Sequence, residues 1–156
     1  MKKVVFVFSL FVFSLLFAGE RSSATPPNPM EGTVTVVVTG LKNQNGNVNV
    51  AMFSSKEGFP GDREKIFTGI SVPLVKKMKD GKMVIPFSHI PFGTYAVAVM
   101  HDENANQKMD KNWVGVPKEG YCASNNAKSF LAPPQFEDAN FELISDLMEV
   151  GCKINY

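Results

Sequence analysis

The residues best suited to chemistry lie in one polar stretch. His101-Asp102-Glu103-Asn104-Ala105-Asn106-Gln107-Lys108-Met109-Asp110 leads past Trp113 to Glu119, Tyr121 and Cys122. Asp102, Asn104, Asn106 and Asp110 hold the first, third, fifth and ninth positions of a loop, and Met109 is the apolar eighth. That is the oxygen-donor spacing of an EF-hand-type calcium loop, in which side chains and one backbone carbonyl, here that of Lys108, converge on a hard cation. Two positions depart from it. The sixth, where glycine makes the sharp turn, is Gln107; the twelfth, where a bidentate carboxylate belongs, is Trp113. Glu119 or Glu103 has to supply the missing group from elsewhere. With two carboxylates inside the motif, a calcium site would be weak, about 10⁻⁴–10⁻³ M as in extracellular modules. The same residues also suit an Asx-rich loop whose side chains bond their own backbone.

His101, Asp102, Glu119 and Ser124 include the groups of acid–base and acyl-transfer chemistry. A hydrolase is therefore one reading of this region. The sequence lacks the motifs that make it specific: there is no Gly-x-Ser-x-Gly elbow, no zinc-ligand spacing and no phosphate loop. His101 shares the parity of Val97 and Val99, which suits a core-facing, hydrogen-bonded histidine. The expectation is a non-catalytic domain with no cofactor beyond the calcium just considered. Trp113 and Tyr121, beside His101, raise a second reading, a carbohydrate- or peptide-binding or adhesion module that meets an extracellular glycan or protein. Against it stands the use of such aromatics to anchor a loop by packing beneath it.

These residues have to be positioned by strands, because a period of two runs through most of the chain. Val34, Val36 and Val38 share one face and Thr33, Thr35 and Thr39 the other; Val48, Val50 and Met52 follow. Between these runs Asn45-Gly46 is a hairpin turn signal. Ile66, Ile70, Val72 and Leu74 alternate next, with Pro73 marking an edge. Met83, Ile85 and Phe87 precede the Pro91-Phe92-Gly93 turn, and Tyr95, Val97 and Val99 follow it. Ala139, Phe141 and Leu143, then Met148, Val150, Cys152, Ile154 and Tyr156, complete the set. About seven strands separated by turn residues predict an all-β, antiparallel two-sheet β-sandwich, with a small barrel as the alternative. The connection from Asp102 to about Pro134 is long for a compact domain, which points to function or internal structure.

The N-terminus predicts export. Lys2 and Lys3 precede an apolar run over residues 4–17, and Ser22 and Ala24 have the small-residue spacing of a cleavage site. The run is short for a bilayer, which takes roughly 20 apolar residues. The expected organisation is a signal peptide over residues 1–24, a Pro-rich tether over 25–30 and one domain over 31–156. No membrane span is expected after cleavage, and the address is periplasmic or secreted. After removal of the leader, 13 basic and 14 acidic residues leave a net charge of −1. Neither that balance nor any basic cluster invites nucleic acid.

Export also bears on Cys122 and Cys152, the two cysteines of the chain. In an oxidising compartment a pair of thiols favours a bridge. Cys152 has the inward parity of the last strand, and Cys122 lies in the long connection. Joining them is worth about 3–4 kcal/mol in the chain-entropy view.

Gly93-Thr94-Tyr95-Ala96, His101-Asp102-Glu103-Asn104 with Asn106 and Asp110, Gly115, Pro117, Glu119-Gly120-Tyr121 and Ser124-Asn125-Asn126-Ala127 together resemble the bacterial domain-of-unknown-function family 2141. Gly46, Phe53, Phe59-Pro60 and the stretch from Pro134 to Phe141 agree with it. The resemblance covers the whole chain after the leader. It implies an exported domain with an immunoglobulin- or transthyretin-like sandwich and implies no activity. Gln107 and Cys122 depart from the family pattern, each standing where glycine is usual.

Overall fold

In the computed structural model, residues 30–75, 78–129 and 132–156 are described. The leader expected over residues 1–24 and the tether over 25–30, Met30 apart, lie outside the described residues. The alternating runs form strands where β-branched residues suit a half-buried pleat. β1 (Glu31–Thr39) buries Val34, Val36 and Val38 completely. β2 (Asn47–Phe53), β3 (Thr68–Pro73), β4 (Met83–Pro91) and β5 (Gly93–Asp102) follow. After the long connection come β6 (Gly120–Ala123), a four-residue helix α1 (Phe136–Ala139), β7 (Phe141–Leu143) and β8 (Leu147–Lys153).

Two sheets result. One has the order β4-β1-β8; the other has β3-β2-β5-β6, with β7 also paired to β5. Their inner faces meet in a core that includes Val36, Val50, Met52, Ile85, Val97 and Ile154. The fold is the expected all-β two-sheet sandwich, and it is not a barrel. The outer face of the second sheet is covered too. Phe53, Phe59 and Phe136 stack edge to face at centroid distances of 5.4 and 5.8 Å, over a patch formed by Ala96, Ala123 and Ala139.

Four details differ from the sequence reading. The strands number eight among the described residues, because β6 lies inside the stretch read as loop. β8 joins β1 in parallel, from Thr33↔Leu147 to Thr39↔Lys153, while the other pairings are antiparallel. Ala139 ends α1 instead of opening a strand. And Asn45-Gly46 turns the chain without making a hairpin: β1 and β2 belong to different sheets. Gly46 has φ +66°, and a Cβ there would lie 1.9 Å from the carbonyl oxygen of Asp102. The turn therefore crosses between sheets and lies directly against the end of β5, where the polar stretch begins.

Candidate functional site

Asp102 is the last residue of β5 and has no exposed surface. Its carboxylate accepts from the backbone N–H of Asn106 at 3.0 Å and of Gln107 at 2.7 Å, and from Asn49 Nδ2 at 3.1 Å. One buried anion thus folds the next five residues back over itself. Asn104 Oδ1 accepts from the Asn106 N–H, and Asn106 Oδ1 from the Lys108 N–H. Such short-range Asx bonds hold a turn without regular structure. Ala105 and Gln107 adopt φ of 58° and 62°, so Gln107 takes up the left-handed conformation expected of glycine at the sixth position.

Glu119 closes the loop from its other end. It is buried, and its two carboxylate oxygens accept from the N–H of Glu103 at 3.0 Å and of Asp110 at 3.1 Å. Asp110 takes the side-chain amides of Asn104 at 2.6 Å and Asn106 at 3.3 Å. Glu103 pairs with Lys42 at 2.7 Å and with the Asn43 amide at 2.9 Å. The Lys42 hydrogen bond, then that from Asn43, holds the Glu103 carboxyl below the usual range. Asp102, Asn104, Asn106 and Asp110, proposed from spacing, and Glu119, proposed as the carboxylate from elsewhere, are therefore one connected network. Lys108 enters it through its backbone N–H. Among the described residues no group of three or more histidine, cysteine, aspartate or glutamate side chains is arranged to hold a metal ion.

The far end of the loop is a tight turn. Lys111 and Pro117 form an antiparallel bridge. Asn112 Oδ1 accepts from the N–H of both Val114 and Val116, and the Gly115 N–H returns to the Asn112 carbonyl. Trp113 stands on this turn 96% exposed, with Val114 56% and Val116 54% exposed. It does not pack under the loop. Tyr121, on β6, is partly exposed, and neither ring pairs with another aromatic among the described residues. The structure does not bring Trp113 and Tyr121 together as one stacked platform.

His101 is completely buried. The Asn45 carbonyl, which can only accept, lies 2.8 Å from Nε2 and fixes the proton there. Nδ1 meets the Tyr156 hydroxyl, which also accepts the Lys42 N–H at 3.2 Å. Burial pushes the Tyr156 phenol up, so it keeps a proton to donate. Ser124, likewise buried, accepts from the Val97 N–H and donates to the Ala139 carbonyl. Both residues tie segments together.

Cys122 and Cys152 meet at disulfide distance, with an S–S separation of 2.11 Å and Cα atoms 5.8 Å apart. Cys122 is on β6, opposite Val99, instead of in a loop. The bridge links the β6 edge of one sheet to the β8 edge of the other, and Tyr121 and Asn155 exchange backbone hydrogen bonds alongside it at 2.9 and 3.0 Å.

Sequence reasoning passed over Asn49, Asn112 and Tyr156. Asn49 lies between the inward Val48 and Val50 of β2, and its amide reaches Asp102 diagonally across the Asn47↔Asp102 register. Asn112 carried a readable signal, since an Asx before Gly115 suits a turn. Tyr156 carried only the parity of the last alternating run.

A family model described as an uncharacterized protein conserved in bacteria, DUF2141, matches residues 36–150. No curated protein and no solved structure matches the chain.

Proposed function

For a chain that belongs to the DUF2141 family of bacteria, we propose an exported, non-catalytic β-sandwich whose 102–119 loop is a preformed contact surface. The observation that carries this reading is Trp113, 96% exposed on a turn whose backbone is fixed by Asn112. A large aromatic held out on an ordered turn, with two exposed valines beside it, is the arrangement of a binding patch more than of a packing residue. Non-catalysis is supported by the same network. His101, Asp102, Glu119 and Ser124 are all buried and occupied by internal hydrogen bonds, so none faces a place where substrate would sit. Export is supported by the Cys122–Cys152 pair.

We read the loop as self-bonded, held by hydrogen bonds among its own side chains and backbone. Each of its carboxylates already has hydrogen-bond donors, so the expected result is the same melting temperature in EDTA and in several millimolar calcium. A calcium site of sub-millimolar affinity filled to roughly ten times its Kd would add about 1.4 kcal/mol. A rise of that size, lost in Asp110→Ala, means instead that Asn104 and Asn106 turn their amide oxygens onto calcium.

The contact reading is tested with Trp113→Ala. A contact residue leaves stability within about 0.5 kcal/mol of wild type, while binding to a bacterial envelope preparation, separated into membrane and peptidoglycan fractions, falls. A large loss of stability makes Trp113 structural, and a wild-type chain that stays with neither fraction removes the reading.

A further inference from the structure

The charges on the loop are sorted by whether they have partners. All four carboxylates between residues 102 and 119 have internal partners: Asp102 and Glu119 are buried, Asp110 holds the Asn104 and Asn106 amides, and Glu103 pairs with Lys42. The three lysines of the same segment, Lys108, Lys111 and Lys118, are exposed. None is in either ion pair found among the described residues. A segment of nearly balanced composition therefore presents three positive charges and no unpartnered carboxylate.

Two of these lysines stand in a definite relation to the apolar tip. Trp113 and Val114 form the apex of the turn; Lys111 is at the bridge that closes it, and Lys118 is one residue beyond that bridge. The order from apex to base is thus aromatic and aliphatic, then cationic. From the geometry we infer that the turn docks on an anionic phospholipid surface, with Trp113, Val114 and Val116 entering the headgroup–acyl boundary and Lys108, Lys111 and Lys118 meeting the phosphates.

Tryptophan favours that boundary, where its ring is half in hydrocarbon and its N–H stays wet. Lysine rests its methylenes along the interface and keeps the ammonium among the headgroups. A tip this small does not hold a protein at a bilayer alone, and three lysines hold it weakly; apolar entry and charge act together. An acidic protein surface would satisfy the lysines and leave the projecting indole without a hydrocarbon layer. The layering favours lipid. This inference rests on the contact reading of the loop and names its partner.

The test uses the oxidised chain without its leader. It is titrated with vesicles of phosphatidylcholine alone, and with vesicles containing one-third phosphatidylglycerol. Trp113 is the one tryptophan in the sequence, so its emission reports entry directly. The expected result is a blue shift and co-sedimentation with the anionic vesicles only, suppressed by high salt. Each of Lys111→Gln and Lys118→Gln weakens binding about fivefold, and the triple change with Lys108→Gln about a hundredfold, since a lysine near an anionic surface is worth about 1 kcal/mol. Trp113→Ala abolishes sedimentation, with the melting temperatures of all variants unchanged. Failure to bind anionic vesicles, equal binding to both compositions, or binding indifferent to the lysines overturns the inference. If the chain ignores vesicles but binds polyglutamate, or stays with peptidoglycan through Trp113, the lipid partner is wrong and the contact reading stands.

Discussion

Reduction of the Cys122–Cys152 bridge is expected to lower the stability of the domain by about 3–4 kcal/mol. The cysteines are 30 positions apart, so the bond restricts a sizeable loop of the unfolded chain. It also lies where the two sheets meet at one edge, beside the Tyr121–Asn155 backbone pair. For a domain whose total stability is about 5–15 kcal/mol, that is a large fraction. Thermal melts followed by circular dichroism, with and without reductant, should differ by roughly 10–15 °C at this chain size. A Cys122→Ala/Cys152→Ala chain should match the reduced protein and ignore reductant. Oxidised and reduced forms that melt together would show the edge to be held by packing and the Tyr121–Asn155 hydrogen bonds without the bridge.

Asp102→Ala is expected to cost about 2–4 kcal/mol, because it removes an acceptor that serves three donors at once. The N–H of Gln107 loses its partner, as does the amide of Asn49, whose Oδ1 is already buried without one, and the Asn106 N–H is left with Asn104 Oδ1 alone. Asp102→Asn keeps the shape but turns an NH₂ toward donors, so most of the loss should remain. Urea denaturation measures the cost. Limited proteolysis supplies the local readout: cleavage within residues 103–118 should rise well before the sandwich unfolds. If the alanine variant is as stable and as resistant as wild type, Asp102 does not organise the loop.

The strands that a reader of the sequence can find are those whose inward residues are consistently apolar. Val34, Val36 and Val38 announce β1, and Pro73 correctly sets β3 at an edge. β6 was not legible. Gly120-Tyr121-Cys122-Ala123 is too short to show a period, and its burial comes from β5 and the Cys152 edge, both distant in sequence. The parallel direction of β8 was hidden for a related reason, since alternation fixes a strand's faces and says nothing of its neighbour. In the loop, spacing identified the oxygens that gather there. It did not say what they bind, because Asp102 answers N–H groups of the following residues and Glu119 those of Glu103 and Asp110. The exposure of Trp113 was equally out of reach: an aromatic in a polar stretch reads the same whether it packs beneath the loop or projects from it.

The parallel seam between β1 and β8 has a bearing on time. It joins residues 33–39 to residues 147–153, more than a hundred positions away. Holding such distant segments together adds little entropy cost beyond that of a shorter loop, but the search for the pairing is slow. Until β8 exists, β1 has β4 on one side only, and the other side is an open edge. The sandwich therefore cannot close before residues 147–153 have been made. On the export route proposed above, this delay would keep the polypeptide threadable, with the seam closing after the last strand has crossed.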